Sequence, residues 1–137
     1  MARTPARVQR LVRMLGGEVQ YLQLAEGDEA QGERKLVMVI GRASAEEIER
    51  CLLGTEEARP MTHKLLHDVI TALGGRPVEL EIHALREGTY FAELRLERDG
   101  AIRAVDCRPS DGIALALRAQ IPLFVSEDVW REATKQG

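Results

Sequence analysis

Asp106, Arg108, Ser110 and Asp111 crowd into the stretch Asp106-Cys107-Arg108-Pro109-Ser110-Asp111. Two carboxylates and a guanidinium around one helix N-terminus can hold a divalent cation and a phosphate side by side. In that chemistry Asp106 and Asp111 face the metal, Arg108 takes the phosphate, and Ser110 adds a hydrogen bond to the bound anion. Glu81 or Glu93 could approach from neighbouring strands. The same residue types also have a structural use. Pro109 stops a strand, Ser110 caps the helix that follows, Asp111 answers its dipole, and Arg108 pairs with a neighbouring acid. The spacing specifies a junction before it specifies a reaction.

An alternating strand must lead into this junction and a covered helix must leave it. Tyr90, Ala92, Leu94 and Leu96 alternate with polar residues over Thr89 to Arg98, and Asp99-Gly100 then supplies two residues that tolerate φ > 0, as a type I′ hairpin requires. Val78, Leu80 and Ile82 alternate ahead of them, so residues 78–107 read as an antiparallel meander. The near-continuous apolar run Ile113 to Leu117 predicts a helix over Asp111 to Ala119, covered on most sides.

Upstream, Glu18 to Ala25 and Leu36 to Ile40 read as strands that pair as a hairpin across the polar connection Gly27 to Glu33. The second is apolar throughout and is expected to be buried on both faces. Ser44-Ala45-Glu46-Glu47 has capping-box spacing ahead of Ile48, Cys51 and Leu52, with a stop at Gly54. Thr62 is placed to cap a second helix with Leu65, Leu66, Val69, Ile70 and Leu73 on one stripe. Ile121 to Val125 returns as a short strand, and Ser126 caps a last helix carrying Val129, Trp130 and Ala133. The fold class is α+β, a meander with packed helices. Strand, Arg42-Ala43-Ser44, helix echoes strand, Arg108-Pro109-Ser110, helix, as two similar halves would.

At 137 residues, 45% hydrophobic and 30% charged, the chain fits one ordinary globular domain. A net charge of −3 gives no global attraction for nucleic acid, so such a partner needs a local basic surface. Residues 1–14 offer Arg3, Arg7, Arg10 and Arg13 with no acid. They read as a solvated basic arm (1–17) preceding the domain (18–137), available to phosphates or a partner and dispensable for folding. Cys51 and Cys107 lack the spacing of a zinc site or disulfide framework, so a reducing cytoplasm is the expected location. His63 and His67 stand one helical turn apart, but Lys64, Leu65 and Leu66 between them leave out the glutamate of an HExxH metal motif. No apolar run reaches the length of a membrane span, and no signal-peptide core precedes the domain. The apolar runs Ile113 to Leu117 and Leu36 to Ile40 exceed what one small layer covers, which predicts a homodimer or larger homo-oligomer.

Arg59-Pro60-Met61-Thr62-His63, Gly88-Thr89-Tyr90-Phe91-Ala92 and Asp106-Cys107-Arg108-Pro109-Ser110-Asp111-Gly112-Ile113-Ala114-Leu115-Ala116, followed by Pro122-Leu123-Phe124-Val125, resemble the bifunctional nuclease family in order and spacing. The resemblance runs from about Lys35 to Val129. It implies a small intracellular α+β protein that degrades DNA and RNA, and it carries no residue roles with it. Gly112 departs from the alanine usual in the family. Hydrolysis of phosphodiesters would call for a divalent ion such as magnesium or manganese, held by Asp106 and Asp111. The alternative is a non-catalytic oligomeric module that binds an anionic ligand, nucleic acid or protein partner at its helix N-termini.

Overall fold

The computed structural model describes residues 2–17, 19–27 and 34–136. Its elements run β1 (Arg3–Val12), β2 (Val19–Glu26), β3 (Lys35–Gly41), α1 (Arg42–Leu53), α2 (Thr62–Ala72), β4 (Arg76–Arg86), β5 (Thr89–Arg98), β6 (Ala101–Cys107), α3 (Pro109–Ala119), β7 (Leu123–Ser126) and α4 (Glu127–Gln136). The strands make one mixed sheet in the order β3-β2-β1-β7-β4-β5-β6. The class is α+β, as expected.

The meander forms as its turns require. Asp99 and Gly100 take φ of 51° and 79°, and Glu87 and Gly88 repeat the device at 51° and 80°. β4 pairs with β5 and β5 with β6, all antiparallel. The β2–β3 hairpin also forms, with Leu22 opposite Met38; most of its expected connection, residues 28–33, lies outside the described residues. β3 is corrected in one respect: Leu36, Met38 and Ile40 are buried, whereas Val37 and Val39 are 51% and 62% exposed. As an edge strand it has only one face toward the core.

The larger correction concerns the basic stretch. Residues 3–12 are no arm but β1, held between β2 and β7 near the middle of the sheet. Ala6, Val8 and Leu11 pack against the core. Three of the four arginines are used inside the fold. Arg3 pairs with Glu79 and Glu81 and lies 3.9 Å above the Phe124 ring; Arg7 donates to the Glu26 and Gly27 carbonyls at 2.9 and 3.1 Å; Arg13 reaches Gln20 and Glu49 at 3.2 Å. The basic residues mask a strand, because cations on an outward face leave period-2 apolar residues free to face inward.

β7 unites the two ends of the sheet. It runs parallel to β4 and antiparallel to β1, and Ser126 closes it by accepting from the Val129 N–H at 3.4 Å, as expected of a cap for α4. Trp130 on α4 is fully buried and donates through Nε1 to Thr4 Oγ1 at 2.9 Å, fastening the helix to β1. Ile113, Ala114, Leu115 and Ala116 on α3 are likewise covered within this one chain, between the sheet and α1. Their apolar run therefore gives no argument for assembly.

α3 approaches the sheet closely at Gly112. A Cβ there would lie 2.5 Å from Leu80 Cδ1 and 3.0 Å from Cys107 Sγ. Leu80 is itself fully buried and has no open side to move into. Although alanine is the better helix former by about 1 kcal/mol, Gly112→Ala is expected to destabilise by ~1–3 kcal/mol in urea denaturation, because the overpacking outweighs propensity. A stabilised variant would show that β4 yields at this contact.

Candidate functional site

Three helices begin at one place. α3 opens with Arg108 as its N-cap (φ −68°, ψ 141°) and Pro109 at its first position, so the chain leaves β6 extended and turns at the proline. Arg108 offers no side-chain cap, and Ser110, expected to cap, instead lies inside the helix and is buried. Ser44 is displaced in the same way. α1 starts at Arg42 after an N-cap at Gly41, which puts Ser44 in its first turn. α2 starts at Thr62 after Met61, with no side-chain cap bond, and places His63 in its first turn. At each junction the serine or threonine read as a cap had already entered the helix.

Asp111 ties these first turns together. Its Oδ1 accepts from Ser44 Oγ at 3.0 Å and from His63 Nε2 at 3.1 Å, while Oδ2 accepts from Arg108 Nε at 2.8 Å. An ionised carboxylate has no proton to give, so His63 carries its hydrogen on Nε2. Burial pushes the Asp111 carboxyl up, but the bonds from Arg108, His63 and Ser44 outweigh it and hold the group below the usual aspartate range. The stability this contributes is present above the unfolded-state value and lost as pH falls through the lowered folded one. The negative charge also answers the positive ends of three helix dipoles. The two junctions that echo each other in sequence thus meet through the Ser44–Asp111 bond.

Arg108 is 76% exposed along its side chain. Asp111 holds it by Nε, and among the described residues its two terminal nitrogens have no partner. They border an open groove of about 430 Å³ lined by Val37 to Gly41 of β3, Gly88 to Tyr90, and Arg108 to Ser110. The Tyr90 hydroxyl reaches across to the Val37 carbonyl at 3.4 Å. The groove therefore presents a planar cation next to the N-terminus of α3, whose leading N–H groups have no intrahelical acceptor.

Asp106 is placed elsewhere. On β6 it stands opposite Glu93, whereas its neighbour Cys107 stands opposite buried Ala92. Alternation thus turns Asp106 to the outer face of the sheet and Cys107 to the face that α3 covers. Glu93, Glu81 and Glu79 share that outer face in an ion-pair ladder with Arg95, which Arg3 joins. Among the described residues no three His, Cys, Asp or Glu side chains gather where a cation could be held. Asp111, with both oxygens already accepting hydrogen bonds, has the partners of a structural anion. The residues as arranged do not fit a divalent ion between Asp106 and Asp111. His67, one turn along α2, is half-buried. Burial, with Asp106 and Asp111 nearby, raises the Cys107 thiol to about 11, which disfavours the thiolate.

Sequence reasoning missed a second charged cluster beside the first. Glu47, read as half of a capping box, is fully buried and accepts from Arg118 Nε and Nη2 at 2.8 and 3.1 Å and from Arg50 Nε at 3.1 Å. An acid three residues ahead of Arg50 was the available signal; the contribution of Arg118 from α3 was not local enough to read.

A model of the bifunctional nuclease domain matches residues 27–136. Two relatives from Mycobacterium tuberculosis, "Uncharacterized protein MT1877" of strain CDC 1551 / Oshkosh and "Uncharacterized protein Rv1829" of strain ATCC 25618 / H37Rv, are each 42% identical over 105 residues, covering 77% of this chain and 62% of the relative. The chain thus spans less than two thirds of the length of these curated relatives. No helix among the described residues is long and apolar enough to cross a membrane. Since the match covers most of the chain, the chain belongs to the bifunctional nuclease domain family.

Proposed function

We propose that the chain binds nucleic acid at the Arg108 groove and hydrolyses phosphodiester bonds in DNA and RNA, slowly. The observation that carries this reading is the posture of Arg108: anchored through Nε by Asp111, exposed, and facing a groove at the start of α3. A guanidinium fixed in this way can form a forked pair with a phosphate and stabilise the charge that grows on it during hydrolysis. Asp111 is then a positioning residue, with His63 and Ser44 keeping its carboxylate in register. The family supports the reaction class, and the names of the two relatives carry no activity.

A second reading, an anion-binding module without turnover, is favoured by the saturation of Asp111 by three donors. The two separate in one assay: cleavage of single-stranded RNA and DNA with magnesium, manganese or chelator, by wild type, Asp106→Asn and Asp111→Asn, against a mock purification. Asp111→Asn is expected to lose most turnover and some stability. Lost turnover in Asp106→Asn would return that outer-face carboxylate to the site. No cleavage by folded wild type under any metal would favour the module.

A further inference from the structure

β3 carries unpartnered backbone groups along the Arg108 groove. The Glu26 N–H donates to the Arg34 carbonyl at 2.8 Å, so residues 26 and 34 form a bonded pair that extends the β2–β3 ladder. Bonded pairs recur at every second residue, here Leu24–Leu36, Leu22–Met38 and Gln20–Ile40, and the odd-numbered residues between them turn their N–H and C=O away from β2. The Tyr90 hydroxyl agrees with this direction, because it donates to the Val37 carbonyl from across the groove. Gly41 is the N-cap of α1, a position whose carbonyl accepts the first helical bond. That leaves Val39. β3 is a sheet edge, so among the described residues the Val39 N–H and C=O have no hydrogen-bond partner, and both border the groove that Arg108 faces.

We propose that this one-residue opening in the edge of β3 reads an unpaired base of the nucleic acid whose phosphate Arg108 holds. The inference rests on the nucleic-acid reading of the groove and names the form of strand the groove takes. Every unpaired base presents a donor beside an acceptor on its Watson–Crick edge, and the Val39 backbone offers the matching acceptor and donor. In a duplex that edge is already paired, so the substrate is an unpaired strand. The contact reads the base and leaves the sugar alone, which suits DNA and RNA alike. It also tolerates sequence, since no side chain selects among the bases. An added peptide strand is the usual occupant of a sheet edge, but it needs a run of free groups, and Tyr90 and α1 take the carbonyls on either side of Val39. The groove, at about 430 Å³, has the size of a site for one small unit, roughly 300–1,000 Å³.

Fluorescence anisotropy at fixed salt, on the full chain, compares a labelled single-stranded oligodeoxynucleotide with an abasic strand of the same length. Wild type is expected to bind the strand with bases about tenfold more tightly, the worth of two hydrogen bonds. Val39→Pro deletes the donor, and because that N–H faces away from β2 the ladder survives. It is expected to weaken binding of the strand with bases by roughly threefold to tenfold and to leave the abasic strand unchanged. Arg108→Gln, which loses the phosphate contact, is expected to weaken both strands by the same factor. Should the proline disturb folding, the wild-type comparison of the two strands decides alone. Equal wild-type affinity for both strands, with Arg108→Gln weakening each, would overturn this inference and leave the nucleic-acid reading standing, as would a folded Val39→Pro that binds like wild type. Binding of neither strand would remove the two together.

Discussion

Deleting residues 2–12 is expected to abolish cooperative folding. β1 supplies hydrogen bonds to β2 on one side and β7 on the other, so its loss cuts the sheet into β3-β2 and β7-β4-β5-β6. It also removes Ala6, Val8 and Leu11 from the core, takes Thr4 from the buried Trp130 Nε1, and takes Arg3 from Glu79 and Glu81. Net stabilities of whole domains are about 5–15 kcal/mol, less than the loss of a ten-residue strand with two ladders should remove. Two bare edges would promote aggregation as well. The check is a urea or thermal transition followed by far-UV circular dichroism. A truncated chain that keeps a sharp transition would restore the basic-arm reading.

The next largest effect is expected at Glu47. Its carboxylate is fully buried, and its partners Arg118 and Arg50 are only 16% and 14% exposed. Removing one member of a buried ion pair leaves the others desolvated without compensation, at a cost of about 3–5 kcal/mol. Glu47→Ala should therefore lower the melting temperature sharply. Replacing Glu47 and Arg118 together by leucine should recover much of the loss, because Arg50 can still turn toward Glu57, 4.0 Å away. The same pair has a pH signature. Burial pushes the Glu47 carboxyl up, and the two guanidiniums more than reverse it, so its folded value lies below the ordinary 4.5. Its contribution to stability is present above the unfolded-state value and fades as pH falls through the lowered one. An acid melting series in which Glu47→Ala shows the same pH slope as wild type would contradict this.

What was legible in the sequence was local. Asp99-Gly100 declared its hairpin because φ > 0 at two successive positions admits few residue types, and the alternation around it gave the meander. Ile113 to Leu117 declared a covered helix. The illegible parts were pairings between distant segments. Nothing near Arg3 announces that it will meet Glu79, or that β7 will lie between β1 and β4, since partners far along the chain leave no periodic trace. The site was half legible for the same reason. The junction at Arg108 and Asp111 could be read from its own residues, whereas Ser44 and His63, which complete it, come from two other helices. The grouping of Asp106 with Asp111 failed on a local rule: Asp106 still obeys strand alternation, which sends it outward while the chain turns inward at Pro109.

In the proposed function Arg108, presented by Asp111, receives the phosphodiester. Arg108→Gln tests it most directly, because an exposed ion pair is worth only about 0–1 kcal/mol and the fold should survive its loss. Initial rates on single-stranded RNA and DNA, measured with the melting temperature of the same preparation, are expected to fall by about 10²-fold for Arg108→Gln while melting stays close to wild type. Cleavage at the wild-type rate by well-folded Arg108→Gln would contradict the account.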